Sequence, residues 1–418
     1  MGNASTTAPA SALAPFRVRS FRFQWPADLA TSWALEMEAL ILGWYILVET
    51  GSVLMLTWYA SLRFIGTLLA PIFGVAGHRI GAKRLLCLMR ATYTALAAAM
   101  MALALAGVLT PLYVFVLAGF MGAMSPSDLV MRYALIGETI PARQLMGATS
   151  VSRTTQDSAR IAGALTGAGL VAALGIGAAY AVVTALYACS FLLTTQVGGP
   201  RRAAPPVPGE ASSWRDLKEG AAYVWNTPQL VAAMWLALLV NLTAFPLVNA
   251  LLPYVAKEIY LTDQTGLGYV VASFAGGALV GSIALSRFGH LVRAGRMMIV
   301  FCVVWYALIL LFAQMDTLAA GIAVIATTGC AQSISMISMS AMLLRNSADA
   351  VRGRVMGIRQ MAVYGMPVGL LIAGPLVQRH GYPLTATFYC SIGLAITFCI
   401  AWRWRAHLWL RDAAANRT

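Results

Sequence analysis

Two carboxylates two positions apart, Glu36 and Glu38, stand in the middle of an otherwise apolar stretch running from residue 26 to 49. In a helix they would lie roughly 15 Å from its start and about 200° apart around its axis, so they cannot share a face. One faces a cavity and the other a neighbouring helix. A carboxyl held away from water favours its neutral form and can exchange a proton. The chemistry on offer is proton carriage, and the alternative is a structural pair with Arg63 or another buried arginine.

A second set of charges lies in a hairpin between Gly119 and Gly175, whose polar turn runs from Glu138 to Gly147. Asp128 and Arg132 are spaced i, i+4, and Arg153, Asp157 and Arg160 are spaced i, i+4, i+7, which puts each set on a single helical face. Counted from the turn, Arg132 and Arg153 lie at similar depth, and so do Asp128 and Asp157. Cross-helix pairs are therefore expected, Arg132 with Asp157 and Asp128 with Arg153 or Arg160. Two roles stay open for this set: structure and gating, carried by Arg132 and Arg153, or direct contact with a proton or substrate. In the second role Asp128 and Asp157 join the two glutamates as proton-coupling candidates. Arg160, the deepest on its face, is the residue to meet an anionic substrate.

The second half of the chain offers softer surfaces. Asn241, Phe245 and Asn249 form an i, i+4, i+8 stripe, with Pro246 and Pro253 expected to bend it. Gln332 and Met336 on one later span, and Gln360 and Tyr364 on the next, complete a cavity to which Trp44, Tyr59 and Arg63 also contribute. Aromatic and methionine-rich walls suit bulky amphipathic cargo, although the same residue types also serve plain packing. Glycines such as Gly163, Gly167, Gly276, Gly277, Gly281, Gly369 and Gly374 allow close helix approach.

The elements that position these residues follow from composition. Hydrophobic residues make up 60% of the 418, charged residues 11%, and mean hydropathy is +0.74, where a soluble domain carries about 25% charged residues. Apolar runs recur at 26–49, 53–76, 85–107, 111–137, 148–174, 178–197, 229–256, 266–286, 297–313, 318–344, 355–377 and 384–403. Twelve transmembrane helices in an all-α membrane protein are expected. The net charge of +14 does not imply nucleic acid. The arginines gather in the loops of one side, Arg79, Lys83, Arg84 and Arg90 after the second span among them, as the positive-inside rule requires. Both termini are then cytoplasmic in a multi-pass cell-membrane protein, a bacterial inner membrane being the expected setting.

The six cysteines form no C-x-x-C pair, and no motif for a metalloprotease, an esterase nucleophile or a P-loop occurs. No enzyme activity, metal or cofactor is expected, and ATP-driven pumping within this chain is unsupported. Residues 198–228, rich in proline, read as a cytoplasmic linker between a bundle at 26–197 and a second at 229–403, with a segment at 1–25 and a tail at 404–418 outside them. The halves repeat. Residues 74–84 return as Ser286, Arg287, Phe288 and Gly289, and residues 143–147 return as 352–357.

At these residues the chain resembles the major facilitator superfamily over essentially its whole length. The family's loop motif after helix 2 reads here as Gly74, His78, Arg79 and Gly81, with His78 at the aspartate position, and Ser286, Arg287 and Gly289 in the second copy. The resemblance implies that this loop latches the cytoplasmic gate. Residues 39–45 with 49–52, 160–167 and 351–357 resemble the exporter branch that includes the enterobactin exporter and multidrug or macrolide efflux proteins. Ala164 stands where that branch's antiporter motif has proline. The resemblance implies two six-helix bundles and a monomer in the bilayer, exporting a small molecule such as a drug or siderophore by proton-coupled alternating access. An importer, a facilitator, or a non-transporting sensor or scaffold on the same fold are the alternatives.

Overall fold

The computed structural model describes residues 14–67, 80–141, 144–198, 213–288, 293–348 and 351–409, and every regular element among them is helical. The chain order is α1 (Arg19–Thr50), α2 (Val53–Leu62), α3 (Ala82–Leu105) and α4 (Pro111–Thr139), then a helical run, Leu145–Thr195, broken at Gly175 into α5 (145–174) and α6 (176–195). After α7 (Ser213–Trp225) come α8 (Pro228–Thr243), α9 (Gln264–Phe288), α10 (Ala294–Phe312) and α11 (Leu318–Arg345). The run from Arg352 passes through one 3-10 turn, Ala362–Tyr364, and breaks at Gly381, giving α12 (352–380) and α13 (382–403); α14 (Arg405–Leu408) closes it.

Nine helices among the described residues are long and apolar enough to span a bilayer; two of them are the glycine-broken runs, and α2 is a shorter apolar helix beside them. The expected all-α membrane architecture is what forms. Several expected positions lie outside the described residues: Gly74, His78 and Arg79 of the loop motif, Gly289 of its second copy, and Arg143. Gly81 is described, and it starts α3 with a φ of 88° that favours glycine.

Helix ends depart from the apolar runs in informative ways. α1 begins at Arg19 rather than at residue 26, because Pro26 sits within the early part of the helix and does not stop it. The seventh span is not one α-helix. Beyond α8 it continues as a π-helix (Pro246–Ala250), a short α-turn (Leu252–Tyr254) and a second π-helix (Val255–Ile259). Pro246 and Pro253 lack the N–H that an α-helix needs and crowd the preceding turn, and a π-turn relieves this by widening the helix.

The chain forms two compact units, one from Met1–Leu42 and Ile65–Pro205, the other from Gly43–Phe64 and Pro206–Thr418. Small residues set helix contacts in both. In the first, a Cβ on Gly66 would run into the backbone carbonyls of Gly122 and Ala123; in the second, a Cβ on Gly277 would run into that of Ala326. The helix breaks correspond: Gly175 has φ 80° and ψ 171°, and Gly381 has φ 76° and ψ 168°. In the second unit, α2 packs on α12, with Ala60 and Phe64 against Met366 and Leu370.

Candidate functional site

The first unit holds its charges in two layers along α1. Gln24, Asp28, Ser32 and Glu36 succeed one another at intervals of four, so they form a slowly turning polar stripe on an apolar helix. Eight residues separate Asp28 from Glu36, or about 12 Å at 1.5 Å per residue.

The Asp28 layer is closed. Arg90 of α3 donates to Asp28 and to Thr194 of α6, and its Nε lies 3.9 Å from Asp128 of α4. Arg132 makes a 2.5 Å ion contact with Asp128 and a 3.8 Å contact with Asp28, and it donates to Ser32 Oγ at 2.7 Å. Gln24 donates to the Arg132 carbonyl at 3.0 Å. All four charged residues are buried. Two cations and two anions cancel, which is how such charge is kept away from water or lipid.

The Glu36 layer is partly open. Arg160 of α5 lies 3.5 Å from Glu36, with about a third of each side chain accessible, 40% and 31%. The helices carrying them are pressed together. A Cβ on Gly163 would approach Glu36 Cβ at 2.7 Å, and one on Gly167 would approach Met37 Cα at 3.2 Å. Two indoles pin the same contact, Trp25 donating to Thr155 Oγ1 and Trp33 to Thr166 Oγ1, each at 2.8 Å. A charged pair of this exposure is not stable against hydrocarbon, so its open side belongs to a polar space.

Glu38 points elsewhere, as the 200° argument requires. It is buried, accepting a hydrogen bond from Tyr187 at 2.9 Å and one from Tyr180 at 3.3 Å, both on α6. Of the two glutamates, Glu36 is the accessible one.

The expected cross-helix pairs of the hairpin do not form. Asp128 and Arg132 pair along α4 and turn to α1 and α3. Arg153 and Asp157 pair along α5 at 3.7 Å, with Arg153 69% exposed. Arg160 turns to Glu36. The reason is that α1 supplies carboxylates at both depths, which a two-helix argument omits. Arg90 is likewise no loop residue; it lies fully buried, eight residues into α3. Residue types and spacing do not single out Asp28, Arg90, Thr194, Tyr180 or Tyr187, although the four-residue rhythm from Gln24 to Glu36 is a readable signal for Asp28.

In the second unit, Phe245 meets Trp305 edge to face with ring centroids 5.1 Å apart, and Thr243 bonds Tyr306 at 2.6 Å. Asn241 is half-buried and donates to the Ala237 carbonyl of its own helix at 2.8 Å, while Asn249 is exposed within the π-helix. The expected stripe is therefore broken between them, since a π-turn adds a residue and rotates the later side chains around the axis. Gln332, Met336 and Tyr364 are half-buried and Gln360 is exposed. Tyr59 is buried, Trp44 is half-buried, and Arg63 caps the C-terminus of α2 as a half-buried residue. Ser286 bonds its own helix at Ile283, and Arg287 is exposed beside it.

The fold has known counterparts. The family model of the major facilitator superfamily matches residues 29–366 and, in a second match, 234–412. No curated protein matches the chain in sequence. Among solved structures, the nucleoside transporter NupG is similar with a TM-score of 0.69 at 15% identity over 92% of this chain and 99% of that one. An auto-inhibited peptide transporter of the POT family reaches 0.72 at 11% identity, covering 96% and 99%. The human organic anion transporter MFSD10 reaches 0.64 at 15% identity, covering 92% and 99%. At these identities the likeness is one of fold. The match across nearly all of the chain, on an all-helical membrane architecture, makes this protein a member of the major facilitator superfamily and a membrane transporter of that type.

Proposed function

We propose that the chain is a proton-coupled exporter of amphipathic small molecules, drug-like or siderophore-like, working by alternating access with both termini in the cytoplasm. The observation that carries this reading is the Glu36–Arg160 pair, held at 3.5 Å between α1 and α5 and partly open on one side. An exporter driven by inward proton flow needs proton and cargo to exclude one another. A proton on Glu36 neutralises the carboxylate and leaves Arg160 without its partner. A cargo that brings a cationic or hydrogen-bond-donating group to ionised Glu36 keeps the proton off.

The alternative is an importer or facilitator. An anionic cargo on Arg160 favours the protonated form of Glu36, so cargo and proton would travel together. The fold likeness to nucleoside and peptide transporters supports keeping this reading. Proteoliposomes with an imposed pH gradient and clamped potential separate the two whichever way the protein inserts. Exchange gathers cargo on the acidic side, and co-transport gathers it on the alkaline side. Ethidium serves as the cationic probe, with an amphipathic sulfonate as its anionic counterpart. Accumulation of ethidium in an acidic lumen, lost with a protonophore, is expected; gathering on the alkaline side would overturn the exporter reading, and absence of any counterflow would favour the scaffold.

A further inference from the structure

Arginines and tryptophans gather where the start of α10 meets the end of α13. Arg293 and Arg296 converge on a single acceptor, the backbone carbonyl of Trp409, at 3.0 and 3.1 Å. The Arg296 guanidinium also lies 5.6 Å above the Trp409 ring, and that of Arg403 lies 5.6 Å above Trp404. Arg403 and Arg405 are exposed, and so are Trp402 and Trp409. The short helix α14 is fixed against α10: Leu408 is buried, and a Cβ on Gly295 would approach its carbonyl at 3.0 Å.

No carboxylate among the described residues pairs with any of these four arginines. One neutral oxygen compensates neither guanidinium charge, so among the described residues both stay without a counter-charge, and exposed tryptophans of this kind belong at headgroup level. We infer that this surface binds the phosphate of an anionic phospholipid, with the tryptophans against its glycerol and upper acyl chains. Held side by side on the Trp409 carbonyl, the two guanidinium groups keep further N–H groups for a phosphodiester, which accepts several charge-assisted bonds at once.

The test is native mass spectrometry of the full chain with phosphatidylglycerol and phosphatidylcholine added in turn. Selective retention of phosphatidylglycerol, weakened by salt, is expected. Arg293→Gln with Arg296→Gln should weaken it about 30-fold, at roughly 1 kcal/mol for each arginine. Lysine at both positions should keep most of the preference, because the charge remains. Equal retention of both lipids, an unchanged preference in the glutamine variant, or displacement of the lipid by millimolar inorganic phosphate would each overturn the inference. If the glutamine variant does not fold, Arg403→Gln with Arg405→Gln, on exposed side chains, must lower the same preference for the inference to stand.

Discussion

Glu36 and Arg160 face one another at 3.5 Å across α1 and α5, whereas Glu38, two residues away, is enclosed by the hydroxyls of Tyr180 and Tyr187. That difference assigns the two glutamates separate consequences when they are altered. Glu36→Gln should abolish accumulation driven by a pH gradient, while cargo exchange at equal pH persists with a weakened affinity for a cationic cargo, which loses its carboxylate partner. Glu38→Gln should keep that coupling and lower thermal stability, because the two tyrosine hydroxyls lose one of the two carboxyl oxygens that accept from them. Transport in proteoliposomes, read beside a thermal unfolding curve, checks both; coupling that survives Glu36→Gln would remove the pair from the proton path.

The closed layer around Asp28 makes a different prediction. Removing one member strands a buried opposite charge, so Arg90→Met or Asp128→Asn should each destabilise by about 3–5 kcal/mol. Neutralising Arg90 and Asp28 together should recover much of the loss, since the pair then leaves no orphan. Folded yield after detergent extraction and the unfolding midpoint are the measurements. Equal losses in single and double variants would show that the four charges do not act as a neutral set.

Adjacent glycines on α9 provide a control for helix packing. A Cβ on Gly277 would strike the Ala326 backbone, while one on Gly276 would meet nothing within 4 Å. Gly277→Ala should therefore reduce folded protein sharply, and Gly276→Ala should behave as the parent does. A backbone obstacle cannot swing aside as a side chain can, which is why a single methyl group is enough.

At the two helix breaks, the added Cβ has room and the backbone itself objects. Gly175 and Gly381 have φ of 80° and 76°, and no atom lies within 3.4 Å of either Cβ position. With ψ of 171° and 168° both lie in a region that is essentially glycine-only, so alanine at each should cost about 1–3 kcal/mol, and asparagine should do no better. The check is the unfolding midpoint of each variant, with similar shifts expected at both positions.

Much of this is readable from residue types alone. The apolar runs identify the helices, and the spacing of Glu36 and Glu38 requires them to face opposite ways, which they do. Depth along the helix sets Arg160 apart from Arg153, and it is Arg160 that meets Glu36. The partners are harder. Arg90 sits near a basic loop in the sequence and reads as part of it, but α3 starts at Ala82 and carries it well inside. Asp28 looks like the edge of the first span because Pro26 precedes it, yet α1 runs nine residues before it. Spacing points Arg132 at Asp157, and it pairs instead with Asp128 and Asp28. Pairing depends on which third helix brings an acid to that depth, and no property of the two hairpin helices encodes this. The π-turns of the seventh span need both prolines to be judged in place, and their effect on Asn249 is not visible in a simple count by four.

The glycine breaks also bear on how the protein is made. At Gly175 and Gly381 two apolar helices adjoin with a single residue out of helical conformation between them. Leu174 and Ile176 flank the first break, whereas the exposed Gln378, Arg379 and His380 lead into the second. α5 with α6 is thus one apolar run suited to entering the lipid as a single hairpin, while the pair α12 and α13 carries a charged arginine at its turn.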